Sequence, residues 1–339
     1  MKRKVSIDFR SKVNAVRLVL IFSVLIMGVK FFAYSLSKSN AILSDALESL
    51  INIATSGFTL YSIYYSSKLR DSDHPYGHGK IEYLAVGFEG ALILCTGIYI
   101  IFIAITHFFQ PVVLRDVDSG ILLTALSGLA MYFIGTFLKR KGREMNSMPL
   151  IADGEHFHVD TVTSVGLIAG LLLFKLTGWY WIDPTLAIVL ALHIMMSGYK
   201  LVKVSIDHLL DKADLATIQN VSEALQKYRH KSWIDIHNLR LQKFGQYLHV
   251  DCHITLPFYF TLEQVHDEVK LLEKELNRDF ENAIEIFIHT DPCQQIPCAH
   301  CEQDDCVFRK SPFIRQIPWT PLNLMTNKKH QLETEYSSK

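Results

Sequence analysis

An excess of charge of either sign is missing from this chain. Its 339 residues carry 34 Lys and Arg against 34 Asp and Glu, a formal net charge of zero. Nothing in that balance draws the chain to nucleic acid or to anionic lipid. An H-E-x-x-H pattern is also missing, which removes the usual helical mark of a zinc hydrolase. No cleavable signal peptide is evident, because the first apolar stretch is too long and lacks a small-residue cleavage site. Cysteine is scarce. There are six, and four of them, Cys293, Cys298, Cys301 and Cys306, fall in one short stretch.

Apolar residues are abundant. They make up 49% of the chain, with a mean hydropathy of +0.18. That is too apolar for an ordinary soluble domain and predicts a polytopic membrane protein. Six stretches, at 15–36, 39–64, 84–108, 119–138, 149–176 and 182–205, are near or above the roughly 20 residues that span a bilayer. Basic residues cluster at Lys2, Arg3, Lys4, Arg10 and Lys12, at Lys68, Arg70 and Lys80, at Lys139, Arg140, Lys141 and Arg143, and at Lys200 and Lys203. The other connections hold only Lys38 and Arg115, with Lys175 at the end of the fifth span. The positive-inside rule then predicts both termini in the cytoplasm, with the chain in the cytoplasmic membrane.

Two patterns break the apolar background. Asp45-Ala-Leu-Glu48-Ser-Leu-Ile-Asn52 and Asp153-Gly-Glu-His156-Phe-His-Val-Asp160 both place polar groups at i, i+3 and i+7, one face of a helix. Ionisable groups at such depth are costly unless they face a cavity, a partner or an ion. At about 1.5 Å per residue, Glu48 descends about as far into its span as His156 and Asp160 rise into theirs. The two faces should meet near the midplane, where transporters hold their substrates. Carboxylates, an amide oxygen and an imidazole suit a divalent metal. Lys30 is expected to snorkel to the outer interface. Glu89 is expected either to line the cytoplasmic mouth or to hydrogen-bond a neighbouring helix. The fourth span has no charge from Gly120 to Leu138 and is expected to face lipid.

Further candidates lie outside the spans. Asp71-Ser-Asp-His74-Pro-Tyr-Gly-His78 has two histidines that a turn at Gly77 could bring together. From 211 to 292 the pattern reads helix 214–229, strand 234–243, strand 247–256, helix 261–278 and strand 283–290. Along 247–256, His249, Asp251 and His253 alternate with Val250 and Cys252, so one face of that strand offers three metal-competent groups. His237 lies on the neighbouring strand, and His289 and Asp291 close the last one. Four thiols in a reducing compartment suit a four-cysteine zinc site or an iron–sulfur cluster.

Leu43-Ser-Asp-Ala-Leu-Glu-Ser-Leu-Ile-Asn52, His74-Pro-Tyr-Gly-His-Gly-Lys-Ile-Glu-Tyr83 and Ala152-Asp-Gly-Glu-His-Phe-His-Val-Asp160 resemble the cation diffusion facilitators, six-span divalent-metal/proton antiporters. The resemblance implies an α-helical membrane protein with six transmembrane helices. It also implies a cytoplasmic α+β domain of αββαβ order, metallochaperone-like, that pairs in a homodimer. It carries over a transport site at Glu48, Asn52, His156 and Asp160, with Asp45 and Asp153 as supporting or alternate acids. It carries over a loop metal at Asp71, His74 and His78. A binuclear cytoplasmic site falls on His237, Asp251, His289 and Asp291, with His249, His253 and His266 as further candidates. Glu48 followed by Asn52 departs from the family's second-span pairs. It makes the site harder and less negative than a two-His, two-Asp set, so zinc, iron(II) and manganese(II) all remain open. The implied partners are divalent cations, protons, the bilayer and a second copy of the chain. The divisions read 1–14 cytoplasmic terminus, 15–208 transmembrane, 209–292 metal-binding and dimerising, 293–310 cysteine-rich, and 311–339 a disordered tail. Two other classes compete: a non-transporting membrane metal sensor and a membrane metalloenzyme.

Overall fold

The structure, a computed structural model, describes residues 2–37, 40–68, 70–109, 116–179, 181–244, 247–280, 284–293 and 298–330. Lys38, Arg115, residues 331–339 and the side chains of 2–12 lie outside the description. The chain divides into two units, Met1–Leu210 and Asp211–Lys339.

The first unit is built of long helices: α1 (Lys2–Ser37), α2 (Asn40–Ser66), α3 (Ile81–Phe109), α4 (Val117–Glu144), α5 (Met148–Thr177) and α6 (Ile182–Leu209). Among the described residues, Val13–Ser37, Ile81–Thr106, Val117–Glu144 and Met148–Thr177 are long and apolar enough to cross a membrane. Helices run past the expected spans. Lys139 to Arg143, read as a connection, lie on α4, because Lys and Arg are good helix formers and a helix need not end where the apolar run does. Local chemistry sets the ends of α5. Pro149 stands in its first turn, and Gly178, at φ +69°, closes the C-terminus with its N–H on the Phe174 carbonyl.

Close helix pairs fix the bundle. Helix α3 packs on α6, α4 on α5, and α1 on both α2 and α4. A Cβ on Gly90 would stand 2.8 Å from the Gly198 carbonyl oxygen, and one on Gly154 would stand 2.9 Å from that of Gly135. Small residues let these backbones meet directly. Helix α4 presents Leu122, Leu126, Leu129 and Phe133 outward and buries Thr124, Gly128, Met131 and Gly135.

The second unit runs α7 (Leu215–Lys227), β1 (Asp235–Phe244), β2 (Tyr247–Leu256), α8 (Leu262–Asp279) and β3 (Ile284–Pro292), then a short helix α9 (Pro321–Leu324). The sheet order is β1-β2-β3, with β1 and β2 antiparallel and β2 and β3 parallel. A parallel pair needs a crossover, and α8 supplies it, started by a Thr261–Gln264 capping box. Val250, Cys252 and Ile254 point into the core with Ile218, Val221, Leu225, Trp233 and Leu272. Hence His249, Asp251 and His253 share the other face, as the alternation predicts.

The tail corrects the expectation of disorder over 311–330, while 331–339 lie outside the described residues. Trp319 and Leu324 belong to the core of the second unit. Ser222 Oγ donates to the Trp319 carbonyl at 2.9 Å, the Arg229 guanidinium lies 4.0 Å over its ring, and Asn238 N donates to the Thr326 carbonyl at 2.7 Å. Two buried apolar anchors in a polar stretch show no periodicity, so a sequence pattern cannot reveal them. Asn238, at φ +54°, sits where the β1–β2 register slips between His237 and Arg240. The bulge turns its N–H out of the ladder toward the tail.

Candidate metal centre

The helical spacing brings one intramembrane group together. Glu48, Asn52, His156 and Asp160 are all buried. One imidazole nitrogen, Nε2, lies 2.5 Å from Asn52 Oδ1, and Asn52 Nδ2 donates to Asp160 Oδ2 at 2.5 Å. His156 Nδ1 stands 3.8 Å from Asp160 Oδ1, and Glu48 borders Asp160. Among the described residues, Glu48 Oε1, His156 Nδ1 and Asp160 Oδ1 are buried without a hydrogen-bond partner. Buried polar atoms are rarely left so. Here three such atoms of ligand type belong to neighbouring side chains, although they are not drawn as close as those of Asp71, His74 and His78 or of His237, His253 and Asp291.

The neighbouring acids separate into different roles. Asp45 is held by Lys30, whose Nζ donates to Oδ1 at 2.8 Å. Lys30 is 1% exposed, so it does not snorkel. With a carboxylate facing it on α2, an interior ion pair replaces the reach to water. That pairing occupies Oδ1, while Asp45 Oδ2 has no hydrogen-bond partner among the described residues. Asp153 lies beside Thr59. Glu89 is buried near Asp153 and Asp160, and neither of its oxygens has a hydrogen-bond partner among the described residues. The helix-to-helix hydrogen bond weighed for Glu89 is therefore absent there.

Two tighter groups have their ligand atoms within 4.8 Å of one another. The first is Asp71, His74 and His78. Asp71 Oδ1 accepts from the His74 backbone N–H at 2.7 Å and lies 3.2 Å from His74 Nδ1, while Oδ2 lies 3.4 Å from His78 Nε2. That backbone hydrogen bond is the main reason the Asp71 carboxyl is held below the ordinary range. Gly77, at φ +89°, makes the turn that brings the two imidazoles together, tilted by 41° with centroids 4.4 Å apart.

The second group is His237, His253 and Asp291. Asp291 Oδ2 lies 3.5 Å from His237 Nε2 and 3.4 Å from His253 Nδ1. His289 adjoins through Asp291 Oδ1 at 3.6 Å. Asp251 is not with them. It pairs with His249 at 3.5 Å, and Glu285 approaches the other nitrogen of that ring at 3.6 Å. Antiparallel register sets His237 opposite His253, and parallel register sets His253 opposite His289. Past the bulge, Asp251 faces Arg240 instead. His266 is exposed on α8 and joins neither group.

Sequence reasoning missed Asp235 and His330. His237 Nδ1 lies 3.2 Å from Asp235 Oδ2, and His330 pairs with Asp235 Oδ1. Burial works against the Asp235 charge, but the hydrogen bonds of the two histidines outweigh it and hold the carboxyl well below the usual range. A carboxylate behind a ligating imidazole orients the ring. The i, i+2 spacing of Asp235 and His237 was a usable signal; a partner at position 330 left none. Cys252 is a core thiol, pushed up to about 12 chiefly by burial, and so too weakly acidic to serve as a ligand.

Comparison with known proteins shows the family. Residues 16–210 match the cation efflux transmembrane domain, and residues 213–293 match the cytoplasmic domain of cation efflux proteins. The chain belongs to the cation efflux, or cation diffusion facilitator, family. Among its relatives is an uncharacterized transporter of Synechocystis, 32% identical over 73% of this chain and 80% of that protein. The manganese efflux system protein MneP of Bacillus subtilis is 26% identical over 81% of this chain and 94% of its own length. The cation-efflux pump FieF of Citrobacter koseri is 26% identical over 80% and 90%.

Proposed function

We propose that this protein exports a divalent metal cation in exchange for protons, carrying the metal on Glu48, Asn52, His156 and Asp160. In this reading all six long helices cross the cytoplasmic membrane, and both termini and the sheet unit face the cytoplasm. The observation that supports it most is the buried meeting of Asn52, His156 and Asp160 through contacts of 2.5, 2.5 and 3.8 Å. An imidazole binds metal only without the proton on the ligating nitrogen, and carboxylates bind only when ionised. Protons arriving at this cluster therefore expel the cation, and a cation arriving from the other side displaces protons. Histidine is suited to that exchange because its ordinary pKa falls in the physiological range. Three of the four donors are oxygen-bearing side chains, a set that admits manganese(II) and iron(II) as well as zinc. The manganese efflux relative supports manganese among the three.

The sheet unit is proposed to bind metal at His237, His253, Asp291 and the adjoining His289, and to hold two copies of the chain together. The Asp71, His74 and His78 group is proposed as a further cation site on the cytoplasmic side. A sensor without transport would need the sheet site but not the intramembrane one. Metal uptake into inverted vesicles under an imposed pH gradient separates the two, run with zinc, manganese, iron(II) and cadmium. Asp160→Ala and His156→Ala are expected to abolish uptake while leaving the dimer intact. Uptake unchanged in Asp160→Ala would overturn the site.

A further inference from the structure

The segment that follows β3 lacks a core of its own. Val307 and Ile314 are 88% and 67% exposed, and Phe308 and Phe313 are also on the surface. Yet its backbone is organised. Arg309 is the hub: its Nη1 donates to the Cys298 carbonyl at 3.0 Å, and its Nη2 donates to the carbonyls of Cys301 at 2.9 Å and Gln303 at 2.6 Å. Between the sheet and the Trp319 and Leu324 anchors, this stretch buries little apolar surface beyond Ala299 and Cys301, and short segments of that kind are commonly stapled.

Four thiols stand where a staple would act. Cys293 follows the last strand, and its N–H donates to the Leu256 carbonyl at 3.0 Å, so it is pinned to the adjoining ends of β2 and β3. Its sulfur accepts from Phe258 N at 3.4 Å. Cys298 and Cys301 close one turn, the N–H of Cys301 on the Cys298 carbonyl at 3.2 Å. The Cys298 sulfur accepts from Lys310 N at 3.4 Å. Cys306 opens a second turn, closed by Arg309 N at 3.2 Å.

The thiols are neighbours in space as well as in sequence. Cys293 lies within electrostatic range of Cys306 and Cys298, and Cys301 within that of Cys293 and Cys298. The Tyr259 phenol lies against Cys306 and within reach of Cys301 and Cys293. Phe308 packs on Phe258 and Tyr259, with ring centroids 5.0 and 5.6 Å apart. All four are free thiols. Their sulfurs are not drawn as close as the ligand atoms of the His237 and Asp71 groups. Besides Arg309, the Ala299 carbonyl, which accepts from Ile314 N at 2.7 Å, and the burial of Ala299, His300 and Cys301 hold the first turn, so a bound ion would draw the sulfurs inward from an already ordered frame.

We propose that Cys293, Cys298, Cys301 and Cys306 hold one zinc ion as a tetrathiolate, which fastens the post-sheet segment to the ends of β2 and β3. Tetrahedral zinc takes four cysteines in closed structural sites. Four S–H bonds give up their protons to solvent, four Zn–S bonds form, and no electron is transferred. The complex carries two negative charges. Backbone N–H donors to sulfur and the nearby Arg309 guanidinium offset them. The ion is structural and separate from any exported cation, so this inference stands or falls independently of transport.

The test uses the full chain in detergent under a non-thiol reductant. Element analysis after gel filtration, and zinc released by a thiol-directed mercurial, are measured for three proteins: the native chain, His237→Ala with His253→Ala, and Cys298→Ser with Cys301→Ser. The native chain and the histidine variant should each release one zinc per chain to the mercurial, and the cysteine variant none. Cobalt loaded in place of zinc should give a sulfur-to-metal charge-transfer band and the intense visible bands of a tetrahedral thiolate. That spectrum of the native chain decides the matter even if the cysteine variant does not fold. Free thiols with no such band, iron with acid-labile sulfide, or zinc released to the mercurial by the cysteine variant would each overturn the proposal.

Discussion

The two units gather their proposed metal ligands by opposite means. In the helical unit, His156 and Asp160 come from one helix at i and i+4, and Glu48 and Asn52 from another at the same spacing. Each pair is local, and only the meeting of two helices is left to tertiary packing. In the sheet unit, His237, His253 and Asp291 come from three different strands. Spacing along one strand says which face a residue is on, and the register between strands says which residues meet. A single bulge beyond His237 is enough to leave Asp251 facing Arg240. Local sites are therefore legible as sites, whereas register-built sites are legible only as faces.

The largest effect that would break this comparison is at Asp160. Asp160→Ala removes both a proposed ligand and the acceptor for Asn52, and transport in reconstituted vesicles should fall by more than about 100-fold, beyond the loss typical of a residue that only orients a ligand. A fall of less than a few-fold would mean that the helical pairs are structural.

Lys30 and Asp45 sharpen the same point, because they are polar, intramembrane and outside the ligand group. Lys30→Met leaves Asp45 buried and unpaired, and should cost about 3–5 kcal/mol. Thermal unfolding in detergent reads this loss. Adding Asp45→Leu should recover most of it, since an apolar pair of similar volume often replaces a buried ion pair without loss. Failure to recover would give Asp45 a role besides the pair.

In the sheet unit, geometry and family pattern disagree over one acid. Metal binding by the full chain, followed by equilibrium dialysis, should weaken by at least about tenfold in His253→Ala and change little in Asp251→Ala. The reverse order would mean that the register of β1 on β2 changes when metal binds.

The smallest effect concerns a surface ion pair with no metal role. Asp214 caps α7 and pairs with Lys243. Partial burial works against its charge, but the bonds to Lys243 and Thr217 lower its pKa from 3.8 to about 2. A depressed carboxyl contributes stability that is present above its unfolded pKa and is lost as pH falls through the folded one. With about a third of each side chain in water, the contribution is about 1 kcal/mol. Asp214→Asn keeps a capping oxygen and should remove that part of the acid slope between about pH 4 and pH 2. Chemical unfolding at several acidic pH values checks it.

Much of the molecule was readable from the chain alone. Apolar runs marked where the long helices lie, and polar residues at i, i+3 and i+7 within them marked the face that matters, because a charge in an apolar helix is too costly to be incidental. Alternation along 247–256 correctly separated Val250 and Cys252, in the core, from His249 and His253. Tertiary structure decided the rest. It paired Lys30 with Asp45 and drew His330 to Asp235 across 95 positions. It also folded a polar tail around Trp319 and Leu324. Those outcomes depend on which surfaces meet, and a single buried tryptophan or a distant counter-charge leaves no period in the sequence. Periodic signals report what one element does to itself; contacts between distant residues exist only once the elements have packed.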